Sequence, residues 1–221
     1  MSASDVFLEM PREALIDYVA RQLDAFFPDG ATDTRDGVAA VMDEAVDRLA
    51  TCFAGVRMWR GTGFHPLHSE KNAVFLYYLS NTLYRNAGDT ALCTKLFYLN
   101  KSLNGFQCFY DTELPDIFFV GHSVGIVLVR TRYPRFMALY QGATVGKNHG
   151  AEPTLEEGLV LYPGSAIIGR CHVRAGTIVS ANTAIVDTDT PGNCIVLAGK
   201  PRVAFKTPKR DILNEFFFMD R

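Results

Sequence analysis

The chain has 221 residues, of which 48% are hydrophobic and 21% are charged, and its formal net charge is −2. This composition is ordinary for a globular protein with a hydrophobic core, and the small net charge gives no electrostatic reason to expect nucleic-acid or membrane binding. The five cysteines are widely spaced without a CxxC pair, which is typical of reduced thiols. The first twenty residues lack a basic segment followed by an apolar run, so we predict no signal peptide and expect a cytoplasmic protein.

Apolar residues at helical spacing predict four helices in the first half of the chain. Ser69 is expected to cap the third helix, and Asp89 or Thr90 the fourth, because short polar side chains accept hydrogen bonds from the first free N–H groups. Gly105 follows the fourth helix and is a suitable residue to end it. The predicted helical ranges are 11–27, 34–55, 69–85 and 90–104.

The second half of the chain has a different period. A helix repeats every 3.6 residues and a strand every two, and neither requires apolar residues at a constant spacing of six. A solenoid whose triangular coil turns a corner every six residues does require it, and hexapeptide repeats of this kind form β-helices. The same spacing links Cys108 to Ile126, and a polar segment at 146–153 interrupts it. The uninterrupted run is Leu155, Leu161, Ile167, Val173, Val179 and Ile185.

These patterns predict an α+β chain in three parts. An N-terminal helical domain (residues 1–106) precedes a parallel β-helix of hexapeptide repeats (residues 107–204) and a short C-terminal tail (residues 205–221). The tail contains the consecutive residues Phe216–Phe218, which we expect to be covered by the solenoid or by a partner chain. The flat faces of such a solenoid favour association into a closed trimer.

Several stretches of the second half resemble the serine O-acetyltransferases. These enzymes are left-handed parallel β-helix proteins with a helical N-terminal domain, and they transfer acetyl from acetyl-CoA. The resemblance extends over about residues 60–203, and it implies acetyl-CoA as donor, a small hydroxyl acceptor, no metal, and a homotrimer or dimer of trimers. The matching stretches are LPDIFFVGHSVGIV at 114–127, YQGATVGKNHG at 140–150, LEEGLVLYPGSAIIGRCHVRAGTIVSANTAIV at 155–186 and the closing LAGKPRV at 197–203.

The resemblance implies that His122 is the catalytic base. In the family a His within D-H-x-T/S-G takes the proton of the acceptor hydroxyl, and Gly121–Gly125 is the matching segment here. The family's acidic residue that orients this His lies fifteen positions earlier, where this chain has Gln107. Gln107 can hydrogen-bond the imidazole and fix its tautomer but cannot stabilise imidazolium by charge, so either Gln107 or a nearby acid, Asp111 or Asp116, is expected to support His122.

The resemblance also places the pantetheine arm of CoA along the coils of the β-helix. Glycines there let the backbone approach the pantetheine or the thioester closely. Lys200 and Arg202 are the expected partners of the CoA phosphates. The expected contacts along the coils are Gly142, Gly146, Pro163, Gly164, Ser180 and Ala181.

The acceptor side departs from the family pattern. Gly121 stands where the family has a substrate-binding acid, and Ala151–Pro153 stands where it has R-H-P. The Arg that would hold the carboxylate of serine is therefore absent, and Glu152 would repel a carboxylate. His149, in the same shortened loop, is the other candidate acceptor contact. A sugar or nucleotide sugar, acetylated at oxygen or nitrogen in polysaccharide biosynthesis, is the alternative acceptor to serine.

Two other classes of protein use the same solenoid. A zinc hydratase of the γ-carbonic anhydrase type needs three His on neighbouring coils of adjoining subunits, whereas His122, His149 and His172 are spaced unlike such a set. A non-catalytic scaffold is the other alternative, and Gln107 in the place of an acid is its only support.

Overall fold

The computed structural model describes residues 7–199 and 203–219, and within them helices precede a parallel β-solenoid of about five turns. The predicted fold class is therefore confirmed. Each predicted helix is present within two residues of its expected ends. In chain order the helices are α1 (Arg12–Phe26), α2 (Thr34–Gly55), α3 (Ser69–Ala87) and α4 (Thr90–Asn104).

The ends of α4 follow from its flanking residues. The Asp89 carboxylate accepts hydrogen bonds from the N–H groups of Ala91 and Leu92, and Gly105 ends the helix with a left-handed φ of +65°. The expected cap of α3 is wrong, because Ser69 is already the first helical residue and His68 precedes it. The Ser69 hydroxyl instead lies 3.0 Å from a carboxylate oxygen of Glu70.

The strands of the solenoid are short, and all ladders between them are parallel except the one between β12 and β13. One face carries the order β1-β3-β5-β8-β11, the second β13-β12-β10-β7-β4-β2 and the third β6-β9. The strands are β1 (Phe106–Cys108), β2 (Phe118–Gly121), β3 (Ile126–Leu128), β4 (Met137–Tyr140), β5 (Thr144–Gly146), β6 (Thr154–Leu155), β7 (Leu159–Leu161), β8 (Ala166–Ile168), β9 (His172–Val173), β10 (Thr177–Val179), β11 (Ala184–Val186), β12 (Cys194–Ala198) and β13 (Val203–Lys206).

The run of apolar residues at a spacing of six forms the interior of the last coils. Its members pair across neighbouring strands, one pair on each face, and all are buried. Each side chain therefore stacks on its equivalent one coil away, which explains the constant spacing. The three pairs are Leu155 with Val173, Leu161 with Val179, and Ile167 with Ile185.

The register of the first coil differs from the sequence expectation. Gly121 pairs with Tyr140, and Val127 pairs with Thr144. In the first coil five residues separate the two paired positions, whereas in the second coil only three do. The first coil thus contains a two-residue insertion, and Leu128 rather than Ile126 pairs with the inward Val145. The expectation of an ungapped register through Ile126 is therefore wrong by two residues.

The C-terminal tail covers the first coils of the solenoid, as the three consecutive phenylalanines required. Its only helix in the described residues is α5 (Leu213–Phe216), shorter than the segment predicted over 211–219. Phe217 is fully buried and packs on Phe136, with 5.5 Å between ring centroids. The Arg57 N–H donates to the carbonyl of Phe216 at 2.8 Å, so the tail also holds the chain that leaves α2.

Buried side chains of α2 and α3 bond directly to the first coil. The Tyr77 hydroxyl donates to the carbonyl of Thr112 at 2.8 Å and accepts from the N–H of Leu114 at 2.7 Å. Burial raises the pKa of Tyr77, so this hydroxyl stays neutral and keeps its proton for donation. The Cys52 thiol, one of five buried free cysteines, donates to the carbonyl of Phe118. The helices and the solenoid consequently share one hydrophobic core.

Candidate functional site

A cavity of about 440 Å³ lies where the helices meet the first two coils, and we call it the junction cavity. Its helical side is the segment between α2 and the first turn of α3, and its solenoid side is the end of β2 with one residue of β4. The helical side contributes Met58, Trp59, Thr62, His68, Glu70 and Lys71. The solenoid side contributes Phe119, Val120, Gly121, His122 and Tyr140.

His122 lies at the rim of this cavity because of the insertion in the first coil. The N–H groups of Gly142 and Gly164 donate to the carbonyls of Val124 and Gln141, so Val124 and Gln141 occupy equivalent positions in successive coils. His122 and Ser123 are therefore the two inserted residues. His122 has a left-handed φ of +59°, a conformation uncommon for a residue with a side chain. Its side chain is 73% exposed, so the imidazole projects from the corner rather than packing between coils.

Glu70 is the carboxylate nearest to the His122 imidazole. Its Oε1 lies 3.7 Å from Nδ1 of His122, and its Oε2 lies 3.3 Å from Nδ1 of His68. Glu70 stands in the first turn of α3, where the helix dipole favours a negative charge. Glu70 could not be predicted from the sequence, because it lies far from His122 in the chain. The only signal available was an acidic residue in a helix start directly after a loop rich in Gly and His.

Gln107 and Asp111 were both expected to support His122, and neither is next to its imidazole. Gln107 lies in β1 opposite Val127, and within the described residues the acidic group paired with the His122 imidazole is that of Glu70. Asp111 lies 3.2 Å from the guanidinium of Arg130, which makes an ion pair with it instead. Asp111 is therefore paired away from His122, and the carboxylate within 4 Å of the His122 imidazole is that of Glu70 in the helical part of the chain.

One corner of the solenoid, which we call the glycine corner, continues from the insertion along successive coils. It consists of Gly125, Gly142, Gly164 and Asn182, all with positive φ between +53° and +83°. The N–H of each of the last three donates to a carbonyl of the preceding coil at 2.9–3.0 Å. The positive φ favours glycine at the first three positions, and a Cβ on Gly164 would in addition lie 2.5 Å from Oδ1 of Asn182.

Gly142 and Gly164, two of the expected CoA contacts, belong to this corner, and three others lie next to it in the chain. Pro163 and Gly164 occupy it in the third coil, and Ser180 and Ala181 precede Asn182 in the fourth. Gly146 does not lie there, because it ends β5 and its carbonyl accepts from the N–H of Gly169 at the next corner. Lys200 and Arg202, the expected phosphate partners, lie outside the described residues.

The loop at 147–153 lies at a different corner from His122. Asn148 and Ala151 close it with two backbone hydrogen bonds, and the Asn148 amide donates to Asp187 at 2.8 Å. His149 is exposed at its tip with a φ of +47°, and Glu152 pairs with Lys147 at 2.8 Å. The junction cavity of the same chain is not lined by either His149 or Glu152.

Comparison with known proteins finds matches among solved structures. No protein-family model matches the sequence, and neither does any curated protein. The serine acetyltransferase of Vibrio cholerae matches with a TM-score of 0.68 at 19% identity, over 90% of this chain and 81% of that chain. This chain has the serine acetyltransferase fold. A serine acetyltransferase in complex with CoA matches with a TM-score of 0.67 at 15% identity, over 90% of this chain and 86% of that one. The Neisseria gonorrhoeae serine acetyltransferase in complex with serine matches with a TM-score of 0.65 at 13% identity, over 92% of this chain and 86% of that chain.

On this serine acetyltransferase fold, three aromatic rings form one wall of the junction cavity, with Trp59 from the helical side and Phe119 and Tyr140 from the solenoid side. The Phe119 ring lies 5.1 Å from Trp59 and 6.0 Å from Tyr140, between centroids. Burial raises the pKa of Tyr140, so its phenol is neutral at physiological pH. A Cβ on Gly121 would lie 2.9 Å from both the Phe119 and the Tyr140 rings. Glycine at 121 is therefore a condition for these rings to pack as they do.

The cation that lines the cavity is already bonded to the protein. The Lys71 ammonium donates to the hydroxyl of Thr62 at 3.0 Å and to the carbonyl of Gly63 at 2.8 Å. It also lies 5.3 Å from the centroid of Phe53, and burial lowers its pKa. Lys71 thus holds the turn that carries Trp59, whose carbonyl accepts from the Thr62 hydroxyl at 2.6 Å.

Two general properties of the described residues limit other kinds of site. Among residues 7–199 and 203–219 there is no cluster of three or more His, Cys, Asp or Glu side chains that could hold a metal ion. Over the same ranges, no helix is both long and apolar enough to cross a membrane. What the junction cavity does offer is an exposed imidazole with a carboxylate at one nitrogen, which leaves the other nitrogen available to accept a proton.

Proposed function

We propose that the protein is an acyltransferase that moves acetyl from acetyl-CoA directly to the hydroxyl of a small acceptor, with His122 as general base. The observation that carries this proposal is the position of the His122 imidazole. It projects at the rim of the junction cavity, has the Glu70 carboxylate at Nδ1, and precedes the glycine corner in the chain. The serine acetyltransferase fold, and the CoA complex of one structural neighbour, support acetyl-CoA as the donor.

The proposed reaction needs no covalent intermediate with the enzyme. Nε2 of neutral His122 takes the hydroxyl proton while the acceptor oxygen attacks the thioester carbonyl of acetyl-CoA. The tetrahedral intermediate then collapses, the carbon–sulfur bond breaks, and the thiolate of CoA takes the proton from the imidazolium. Glu70 stabilises the imidazolium by charge, which an amide at position 107 could not do.

On the donor side, we propose that the pantetheine arm follows the glycine corner. Gly142 and Gly164 present close backbone there, and Pro163, Ser180 and Ala181 are the adjoining surface. Lys200 and Arg202 remain the proposed partners of the phosphates. Gly146 belongs to another corner, so we propose no contact between it and the same CoA molecule.

We further propose a cytoplasmic homotrimer, with a dimer of trimers as the larger assembly. The flat faces of the solenoid favour a closed trimer. His149 and Glu152 do not line the junction cavity of their own chain, so they could contact an acceptor only from a neighbouring subunit. Their proposed role in acceptor binding therefore depends on the trimer.

The experiment is a thiol-release assay with acetyl-CoA and a panel of hydroxyl acceptors that includes L-serine. We expect acceptor-dependent release of CoA, and we expect His122→Ala to lower kcat by about 10²- to 10⁴-fold, the usual contribution of a general base. His172→Ala is the matched control, because that imidazole lies on another face and bonds Glu156 at 2.6 Å.

Calorimetry separates binding from chemistry in this test. The His122→Ala variant should bind CoA as the wild type does, because the base contacts the reacting atoms and not the nucleotide. If the wild type showed no thiol release and no binding of CoA, the proposed transferase would be refuted. Unchanged turnover of His122→Ala would refute the assignment of the base.

A further inference from the structure

The C-terminal tail contacts the solenoid side of the junction cavity from outside. Phe216, the last residue of α5, is 5% exposed and is not one of the residues that line the cavity. Its ring lies 5.7 Å from Phe119 and 6.1 Å from Tyr140, between centroids. Close aromatic pairs of this kind favour defined ring positions. Phe216 therefore helps to fix two of the three rings that form the wall of the cavity.

The next residue of the tail holds the helical side of the same cavity. Phe217 forms an antiparallel bridge with Val56, and the two hydrogen bonds of this bridge measure 2.8 Å and 3.0 Å. The carbonyl of Val56 also accepts the N–H of Trp59 at 3.1 Å. Because Trp59 supplies the third ring of the wall, the tail is bonded directly to the turn that carries this ring.

Two arginines of that turn hold the end of the tail. The Arg57 guanidinium donates to the carbonyl of Phe217 at 3.1 Å and to the side-chain oxygen of Asn214 at 2.6 Å. The guanidinium groups of Arg57 and Arg60 lie 4.2 Å and 4.0 Å from the ring centroid of Phe218, within the range of cation–π contacts. The tail is thus attached to the turn both before and after its tryptophan.

We infer that Phe216–Phe218 is a positioning element of the acyl-transfer site, which holds the Trp59 ring against the Phe119 ring. This inference rests on the proposed acyl transfer. The segment touches no reacting atom and acts through the wall of the junction cavity. Since a small displacement of the groups that place a substrate lowers catalytic efficiency, the position of the tail determines how well the acceptor binds.

The donor should depend less on the tail than the acceptor does. Leu213 of the tail lies at the corner of Gly158, where a Cβ would be 2.6 Å from its side chain. That corner is not the glycine corner, which the pantetheine arm is proposed to follow. We therefore expect a loosened tail to weaken the binding of the acceptor and to leave the binding of acetyl-CoA unchanged.

Trp59 makes the state of the wall measurable without turnover. It is the single tryptophan of the chain and is 4% exposed. Acrylamide quenching of its fluorescence therefore reports how well the neighbouring rings shield it. Phe216→Ala should raise the quenching constant by about twofold or more, because a local loss of packing opens a path for the quencher.

Two further variants separate positioning from a general loss of stability. Phe218→Ala removes a partly buried ring that packs on the two arginines, and should raise the quenching constant in the same direction by a smaller factor. Leu15→Ala removes a fully buried side chain of α1, a helix that supplies no residue to the junction cavity. It should destabilise the protein but leave the quenching unchanged, at a temperature where circular dichroism shows every variant folded.

The thiol-release assay tests the kinetic consequence, with the acceptor of the panel that gives the highest kcat/KM. Phe216→Ala should raise the KM of this acceptor by roughly two- to tenfold, the equivalent of one aromatic contact, while the KM of acetyl-CoA stays unchanged. Leu15→Ala should change neither KM.

The outcomes distinguish this inference from the proposed function. Unchanged quenching in both tail variants, or an equal rise in Leu15→Ala, overturns the positioning role and leaves the transferase intact. A rise in the KM of acetyl-CoA as large as that of the acceptor overturns it as well. Thiol release absent with every acceptor in the wild type refutes the transferase, and the quenching then still decides whether the tail holds Trp59 in place.

Discussion

The two sides of the junction cavity are built in different ways. On the solenoid side, the repeat sets the position of each residue. His122 projects because the first coil has two more residues at this corner than the next coil has. On the helical side, the segment from Trp59 to Lys71 has no repeat and is held by a few hydrogen bonds, among them those of the buried Lys71 ammonium. The position of His122 is thus set by the register of the fold, whereas the nearby carboxylate of Glu70 and the Trp59 ring come from the helical side.

This difference teaches where specificity can change. Substitutions within the repeat disturb the stacked coils, but those in the connection alter the surroundings of the base and leave the coils in place. For the proposed transfer, the acceptor can therefore be changed through the segment opposite His122 without altering the coils.

The largest expected effect tests how firmly the two sides are joined. Phe217→Ala should lower the free energy of unfolding by about 3–5 kcal/mol, because this ring is fully buried against Phe136 and its backbone pairs with Val56 after α2. Phe205→Ala, at a 43% exposed ring, should cost about 0.5 kcal/mol or less. Urea denaturation followed by circular dichroism measures both. Equal losses would mean that the tail does not join the helices to the solenoid.

The second prediction compares the two candidate supports of the base. Glu70→Gln should lower kcat by about 10- to 100-fold, a share of the 10²- to 10⁴-fold that a general base supplies, because an amide cannot stabilise the imidazolium. The KM of acetyl-CoA should not change. Gln107→Ala is the competing variant, measured in the same thiol-release assay. A larger loss with Gln107→Ala would transfer the supporting role from the helical side to the solenoid.

The third prediction compares two glycines with similar backbone and different surroundings. Gly30 after α1 and Gly158 in the solenoid have φ values of +78° and +81°. A Cβ at Gly30 meets nothing within 4 Å, whereas one at Gly158 would lie 2.6 Å from the Leu213 side chain of the tail. Gly30→Ala should therefore cost about 1–2 kcal/mol from the backbone alone, and Gly158→Ala should cost more. Thermal unfolding of both variants checks the order, and equal midpoints would contradict it.

The smallest expected effect concerns the loop that carries His149. Hydrogen bonds from the Arg170 N–H and the Asn148 amide lower the pKa of Asp187 below its ordinary value of 3.8. Its ionised form therefore stabilises the fold above that value, and this contribution is lost as the pH falls through the lowered pKa. Asp187→Asn should be slightly less stable than the wild type at neutral pH, and the difference should vanish in acid. A difference that grows on acidification would reverse the assigned sign.

The sequence predicted the regular parts of the molecule because their periods are intrinsic to the chain. Helical spacing located α1 to α4, and Asp89 and Gly105 marked the ends of α4 by local hydrogen bonding and backbone freedom. The spacing of six located the interior of the last coils. The insertion at His122 was not predicted, because the buried apolar residue Ile126 continues the spacing of six from Cys108. The pattern therefore looked continuous across the insertion.

The carboxylate beside His122 could not be predicted for a different reason. Glu70 reaches His122 only because α3 packs against the first coil, and no local pattern records such a contact. The same holds for Trp59, which as a sequence position was one more apolar residue after α2. Asp111 was the reasonable expectation from proximity in the chain, but Arg130 neutralises it in the folded state.

The packing of Phe216 links the junction cavity to the order in which the chain is made. Phe216 packs behind Phe119 and Tyr140, at 5.7 Å and 6.1 Å between centroids, so the aromatic wall near His122 is backed by a residue that follows the whole solenoid in the sequence. Domains generally fold from the N-terminus during synthesis, and helices and coils can accumulate in order. On the ribosome, the wall therefore gains its backing only after Phe216 emerges and returns to the first coils.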